Sequence, residues 1–176
     1  MTDFVASNVG AGPMLFASDA RVMHYLIEQH AELVEDLKAT LGPQNFSTVM
    51  DFQPQPYYFA EIGVQKGGNM LGLDRSQRNK ILTIAAVTLL SEDRDEQYPV
   101  VYQKLVAMRE RNIAFAKSIG CHEELAYLPY ADATQDALGS YGEANVDHIR
   151  SVASKYDPEG FFQHMVPGGF KISRVD

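Results

Sequence analysis

Tyr127, Tyr130 and Asp132 bring two phenols and a carboxylate into six residues, Tyr127-Leu128-Pro129-Tyr130-Ala131-Asp132. The apolar run Leu125 to Ala131 reads as a short strand. Side chains alternate between the faces of a strand, so Tyr130 and Asp132 are expected on one face and Tyr127 on the other. A phenol beside a carboxylate can donate a hydrogen bond or take a proton while the acid orients it. The plainer alternative is a half-buried strand tyrosine next to an aspartate that caps a turn.

Gln53, Tyr57 and Tyr58 flank the boundary at Pro54 and Pro56. Aromatic rings with polar tips suit an apolar ligand that carries a few oxygens. Ordinary sheet packing is the plainer explanation. Gly67-Gly68-Asn69 has the look of a phosphate loop, but no Lys-Ser/Thr follows and no helix starts in the right place. A structural turn is the better reading, with Asn69 kept as a possible ligand contact. The single cysteine, Cys121, follows the expected end of a helix, where the dipole disfavours a thiolate. The five histidines show no metal spacing: His30 belongs on a core or boundary position, and His24, His122, His148 and His164 are expected at the surface. No metal site and no cofactor-holding residue is expected.

The elements that must position these groups follow from periodicity. Phe4 to Phe16, broken by Gly10, Gly12 and Pro13, suggests a strand, a turn and a second short strand. Ser18-Asp19 offers a cap for a helix with Val22, Leu26, Leu33 and Leu37 on one stripe, ended by Gly42-Pro43. Phe46, Thr48, Met50 and Phe52 alternate as one face of a strand that the prolines at 54 and 56 should stop. Tyr57 to Val64, aromatic and β-branched, reads as a further strand. Ile81 to Leu90, apolar on both parities, reads as a central strand with both faces covered, although a buried helix is the alternative. Asp95 to Ile119 is the clearest helix, and Glu143 to Tyr156 the last, with Val146, Ile149 and Val152 inward. The mixture predicts an α+β fold: one domain, 1–176, with a mainly antiparallel sheet and helices packed on one face.

Composition bounds the function. The 176 residues are 45% hydrophobic and 22% charged, ordinary globular values that argue against disorder. The net charge of -8 comes without any basic run, so nucleic acid and anionic membrane are not expected partners. No secretory or membrane-spanning pattern is present, which points to a soluble cytoplasmic protein.

The tail carries a more specific signal. It reads Tyr141-Gly142, Asn145, then Lys155-Tyr156-Asp157-Pro158-Glu159-Gly160-Phe161-Phe162-Gln163, then Val166-Pro167-Gly168-Gly169-Phe170-Lys171. Phe52-Gln53-Pro54 and Gly67-Gly68-Asn69-Met70-Leu71-Gly72-Leu73 precede it in order. Together these segments resemble the substrate-binding lobe of fungal FAD-linked oxidases of the berberine-bridge type, with the C-terminal module at about 125–171. The resemblance implies an antiparallel sheet whose outer face carries helices and whose inner face roofs flavin and substrate. It implies that FAD would come only from a separate flavin-binding lobe. It also places Tyr130 near the family's active site. Pro129 stands where the family usually has an asparagine near the flavin, which removes that amide and a backbone donor.

An inner sheet face without its flavin lobe would be an exposed apolar patch. A homodimer, a separate flavoprotein, or a pocket closing over a small apolar natural product would cover it. Two functions follow. One is a flavin-independent cyclase or isomerase, for example of Diels-Alder type, in which Tyr130 and Asp132 act and Tyr127, Tyr57, Tyr58, Gln53 and Asn69 bind substrate. The other is a non-catalytic or split subunit of an FAD-linked oxidoreductase.

Overall fold

A computed structural model describes residues 7–175. The chain opens with β1 (Ser7–Gly10) and β2 (Met14–Ala17), followed by α1 (Ala20–Leu41), β3 (Phe46–Gln55), α2 (Tyr57–Gln65) and β4 (Lys80–Leu89). It continues with α3 (Arg94–Ser118), β5 (His122–Glu123), α4 (Glu143–Tyr156) and α5 (Phe161–His164). The part of the expected first strand that precedes Ser7 lies outside the described residues.

α1 starts where Asp19 accepts a hydrogen bond from the Arg21 N–H at 2.8 Å, and it stops at Gly42, whose φ is 86°. Its stripe of Val22, Leu26, Leu33, Leu37 and Leu41 is buried against α3, which contributes Val101, Leu105, Met108 and Ala116. Both helices cover one face of a five-stranded antiparallel sheet. β4 is its axis: β3 pairs along the whole of one edge, from Phe46↔Leu89 to Gln55↔Lys80. β1 and β2 share the other edge, and β5 pairs with β2. The fold is therefore α+β with helices on one sheet face, as the periodicity predicts.

The interruption between β1 and β2 has a consequence for facing. Gly10 pairs with Ala86 and Met14 with Thr83, so four steps along one chain oppose three along the other. One extra residue in a ladder is a bulge, and a bulge reverses the parity of everything after it. Val9 and Ala11 face the helices before it; Met14 and Phe16 face them after it. Leu15 is thereby turned to the opposite face, where it meets Leu82, Leu125 and Tyr141. Each of these buried leucines contributes about 1.5–3 kcal/mol of transfer free energy.

Three expected elements differ. β3 does not stop at Pro54 but runs to Gln55. It is an edge strand with β4 as its one neighbour, and an edge tolerates a proline whose missing N–H would face away from that neighbour. Tyr57 to Val64 is helical rather than a strand: Pro56 supplies its N-cap backbone, and Ala60 is its one buried residue. Leu125 to Ala131 is not a strand either; the local strand is the two-residue β5, and Leu128–Tyr130 forms a 3-10 turn around Pro129. In α4, Val146 is buried and Ile149 partly so, whereas Val152 is exposed.

Candidate functional site

The sheet face opposite α1 and α3 is covered at one end only. Met70, Leu71, Leu73, Leu125, Tyr127, Leu128 and Tyr141 close over Leu15 and Leu82 there. Farther along the same face Val49 is exposed and Asp51 reaches solvent. At the margin lies a cleft of about 200 Å³. Its floor is Leu15, Leu71, Leu73, Leu82 and Leu125; its polar rim is Gln53, Gln55, Tyr127 and Tyr130. Gln53 and Gln55 are two apart on β3, so alternation puts both amides on this face, and Leu82 beneath Gln53 is its register partner.

Two tyrosines expected on opposite faces are neighbours here. The 3-10 turn replaces strand alternation and brings the rings of Tyr127 and Tyr130 edge to face, 5.3 Å between centroids at 85°. Among the described residues, none of the four polar tips on the rim has a hydrogen-bond partner within the protein. No charged side chain lines the cleft. Such a rim can offer neutral donors and acceptors to a flat apolar molecule and cannot neutralise a charged one.

The expected pairing of Tyr130 with Asp132 does not form. Asp132 Oδ1 instead accepts from the Tyr102 hydroxyl at 2.8 Å, from the Thr134 N–H at 2.9 Å and from the Thr134 hydroxyl at 2.5 Å. Burial pushes the Asp132 carboxyl up, but the hydrogen bonds from Thr134 and Tyr102 outweigh it and hold the acid below its ordinary range. The same bond raises the Tyr102 phenol. Asp132 thus organises a turn and α3, not the cleft.

The remaining expected contacts lie outside the cleft. Tyr57 opens α2, its N–H donating to Asn79 Oδ1 at 3.0 Å and its ring lying 5.7 Å from the Lys80 ammonium. Tyr58 is exposed and packs edge-on against Phe59. Asn69 accepts from the Leu71 N–H at 2.9 Å, a structural turn. Cys121 is buried, and burial together with the Asp19 carboxylate raises its thiol pKa, which disfavours the thiolate. His122 is half-buried on β5 rather than exposed, and desolvation lowers its pKa. His30 is a boundary residue: its Nε2 lies 3.0 Å from Thr48 Oγ1. Thr48 donates its own proton to the Ala86 carbonyl, so Nε2 must be the protonated nitrogen.

Two cations that sequence reasoning passed over hold the cleft wall. Lys80, 4% exposed, donates to the carbonyls of Leu73, Ser76 and Arg78 at 2.9, 2.7 and 3.0 Å. Arg75 donates to the carbonyls of Gly72, Glu124 and Ser140 at 3.0, 2.8 and 2.6 Å. Together they tie the Leu71–Leu73 segment to the stretch carrying Leu125 and Tyr127. Spacing along the chain gives no hint of this, because the acceptors are backbone carbonyls from distant loops.

The Gly67-Gly68 turn leads to a 3-10 turn at Leu73–Arg75 and not to a helix whose N-terminus could hold a diphosphate. Among the described residues there is no cluster of metal-ligating side chains and no helix long and apolar enough to cross a membrane. A larger groove of about 660 Å³ lies between 131–138 and 168–175. Lys171 on its wall is already committed to the Phe162 carbonyl at 2.8 Å.

Comparison with known proteins finds that the chain is similar to part of several fungal proteins named as FAD-dependent monooxygenases. It is 35% identical over 162 residues to the FAD-dependent monooxygenase drtC of Aspergillus calidoustus, covering 92% of this chain and 30% of that protein. It is 39% identical over 123 residues to the FAD-dependent monooxygenase sdcF of Emericella nidulans, covering 70% of this chain and 25% of that protein. A third relative, the FAD-dependent monooxygenase tpcD of Cochliobolus heterostrophus, is 29% identical over 90% of this chain and 30% of its own length. The chain thus spans less than a third of the length of these relatives and is similar to that part of them. No family model and no solved structure matches it.

Proposed function

We propose that this chain is the substrate-covering part of a fungal FAD-dependent oxidation system acting on a neutral, largely apolar natural product. The flavin is held by a separate lobe or flavoprotein. One observation carries the reading: four unpartnered polar tips, Gln53, Gln55, Tyr127 and Tyr130, stand around a leucine floor in an open cleft of about 200 Å³. Pockets that enclose a drug-sized molecule span about 300–1,000 Å³, so this cleft grips one side of a ligand and needs a second surface opposite. The relatives, which extend far beyond the matched segment, have chain enough to supply one. Here the protein's own residues bind and orient. The leucines exclude water beneath the ligand, and the amides and phenols fix its edge.

A neutral hydroxyanthraquinone serves as the probe, its affinity followed by its own absorbance. Each neutral hydrogen bond contributes about 0.5–1.5 kcal/mol, so Gln53→Leu and Tyr130→Phe should each weaken binding roughly 2- to 10-fold. Asp132→Asn should leave the affinity unchanged. Equal affinity in wild type, Gln53→Leu and Tyr130→Phe would remove the cleft as the site. Tight binding of FAD by this chain alone would overturn the statement that the flavin is held elsewhere.

The second reading, a flavin-independent cyclase or isomerase, is favoured by Pro129, which gives the turn no side-chain amide and no N–H to offer a flavin. Tyr130 would then act as acid or base beside the second rim phenol, Tyr127, and without Asp132, which is engaged by Tyr102 and Thr134. A colourless preparation that converts a pathway intermediate without added cofactor, and loses this on Tyr130→Phe, would establish it over the first.

A further inference from the structure

A small cavity lies between the sheet and α3, beneath the bulge that separates β1 from β2. Its volume is about 20 Å³, and Ala11, Gly12, Met14, Thr83, Arg109 and Asn112 are among its walls. Three polar side-chain atoms there are buried without a hydrogen-bond partner among the described residues: Thr83 Oγ1, Arg109 Nε and Asn112 Oδ1. Thr83 is 4% exposed and Asn112 3% exposed. Buried polar groups are almost always paired, so three orphans on one cavity call for a common partner.

We propose that this cavity is a binding site for a single structural water bridging Thr83, Arg109 and Asn112. The size is right for one molecule, since a water needs about 10–15 Å³ of such space. The chemistry is complementary as well. Arg109 Nε–H can only donate and Asn112 Oδ1 can only accept, whereas the Thr83 hydroxyl does either. A water accepts from the guanidinium, donates to the amide oxygen and completes its third bond with the hydroxyl. A cation would face the guanidinium, an anion would face the amide oxygen, and an apolar occupant would leave all three atoms unpaired.

The position gives the water a structural task. Arg109 also donates through Nη1 to the Ala11 carbonyl, in the bulge itself. The water therefore links β4 and α3 to the segment whose extra residue turns Leu15 towards the candidate cleft.

The test is a crystal structure that resolves ordered solvent, for the wild type and for the Thr83→Val/Asn112→Leu double variant. Water-to-amide cross-relaxation in solution accompanies it. The expected result is one solvent peak within hydrogen-bond distance of all three atoms in the wild type, with a long-lived water signal at Thr83 and Asn112. Both should be lost in the double variant. A dry wild-type cavity, with the Thr83 hydroxyl bonded directly to Asn112 or to a backbone carbonyl, would overturn the proposal, as would an ion in the peak. The wild-type measurement decides this even if the double variant fails to fold.

Discussion

Gly12→Ala should be among the most damaging single-methyl changes in this protein, because the bulge leaves no room for it. Gly12 has a φ of 83°, in the left-handed region, and a Cβ built there would lie 1.8 Å from Gln135 Oε1 and 2.9 Å from the Asp132 N. Gln135 cannot simply swing away. Its Oε1 accepts from the Asp132 N–H at 3.1 Å, and its Nε2 donates to the Pro13 carbonyl at 3.1 Å. The backbone conformation alone costs an L-residue about 1–2 kcal/mol. Two displaced hydrogen bonds add about 0.5–1.5 kcal/mol each, and the reduced entropy of the unfolded chain returns about 0.4–1 kcal/mol. At the centre of these ranges the expected loss is about 3 kcal/mol. With a urea slope of about 2 kcal/mol/M for a chain of this size, the midpoint should fall by about 1–2 M. Gly68→Ala is the control: its φ is 89°, but nothing lies within 4 Å of the added methyl. It should cost only the backbone strain, about 1 kcal/mol. Midpoints for the two variants that agree within error would refute the claim that the loop at 132–135 is packed onto the bulge.

Three further outcomes are expected. Lys80→Met keeps the apolar stem but strands the carbonyls of Leu73, Ser76 and Arg78; it should cost about 2–4 kcal/mol in urea unfolding, and a loss below about 0.5 kcal/mol would show that solvent replaces the ammonium. Burial lowers the pKa of His30 and, together with Lys117, that of His122 below the ordinary 6.5, so the folded state binds fewer protons than the unfolded chain. Stability contributed by the neutral rings should then be lost as pH falls below about 6.5, lowering the thermal midpoint at about pH 5.5 relative to about pH 7.5, and His30→Gln should narrow that gap; a pH-independent midpoint would contradict it. Tyr102→Phe removes a hydroxyl that donates to Asp132 at 2.8 Å, and should cost about 1–2 kcal/mol while leaving probe binding in the cleft unaltered.

Several features were legible along the chain because their causes are local. The stripe Val22, Leu26, Leu33 and Leu37 follows the helical period, and Asp19 caps it through a bond two residues away. Phe46, Met50 and Phe52 alternate onto the helix-covered face as a strand requires. The tail motif has a local cause too: the Asp157 carboxylate accepts from the N–H groups of Phe161 and Phe162, at 2.7 and 3.0 Å. Those residues carried the resemblance to flavin-linked oxidases, and the relatives agree with its coarse form.

The candidate site was less legible, because its geometry depends on what pairs with what. The composition of Tyr57–Val64 favours a strand, yet the segment satisfies its own backbone as a helix that starts at Pro56. Gln53, a candidate contact from the sequence, lines the cleft together with Gln55, which the sequence did not suggest because the strand was expected to stop at Pro54, a limit that an edge position lifts. Tyr127 and Tyr130 meet because a 3-10 turn replaces alternation, whereas Asp132 is captured by Tyr102 from 30 residues away. Leu15 joins the cleft floor through a one-residue mismatch that exists only relative to β4. The periodic elements, their caps and the chemical types available follow from residues near one another along the chain. Tertiary structure decided facing and pairing, since both depend on registers and carbonyl positions set by distant segments.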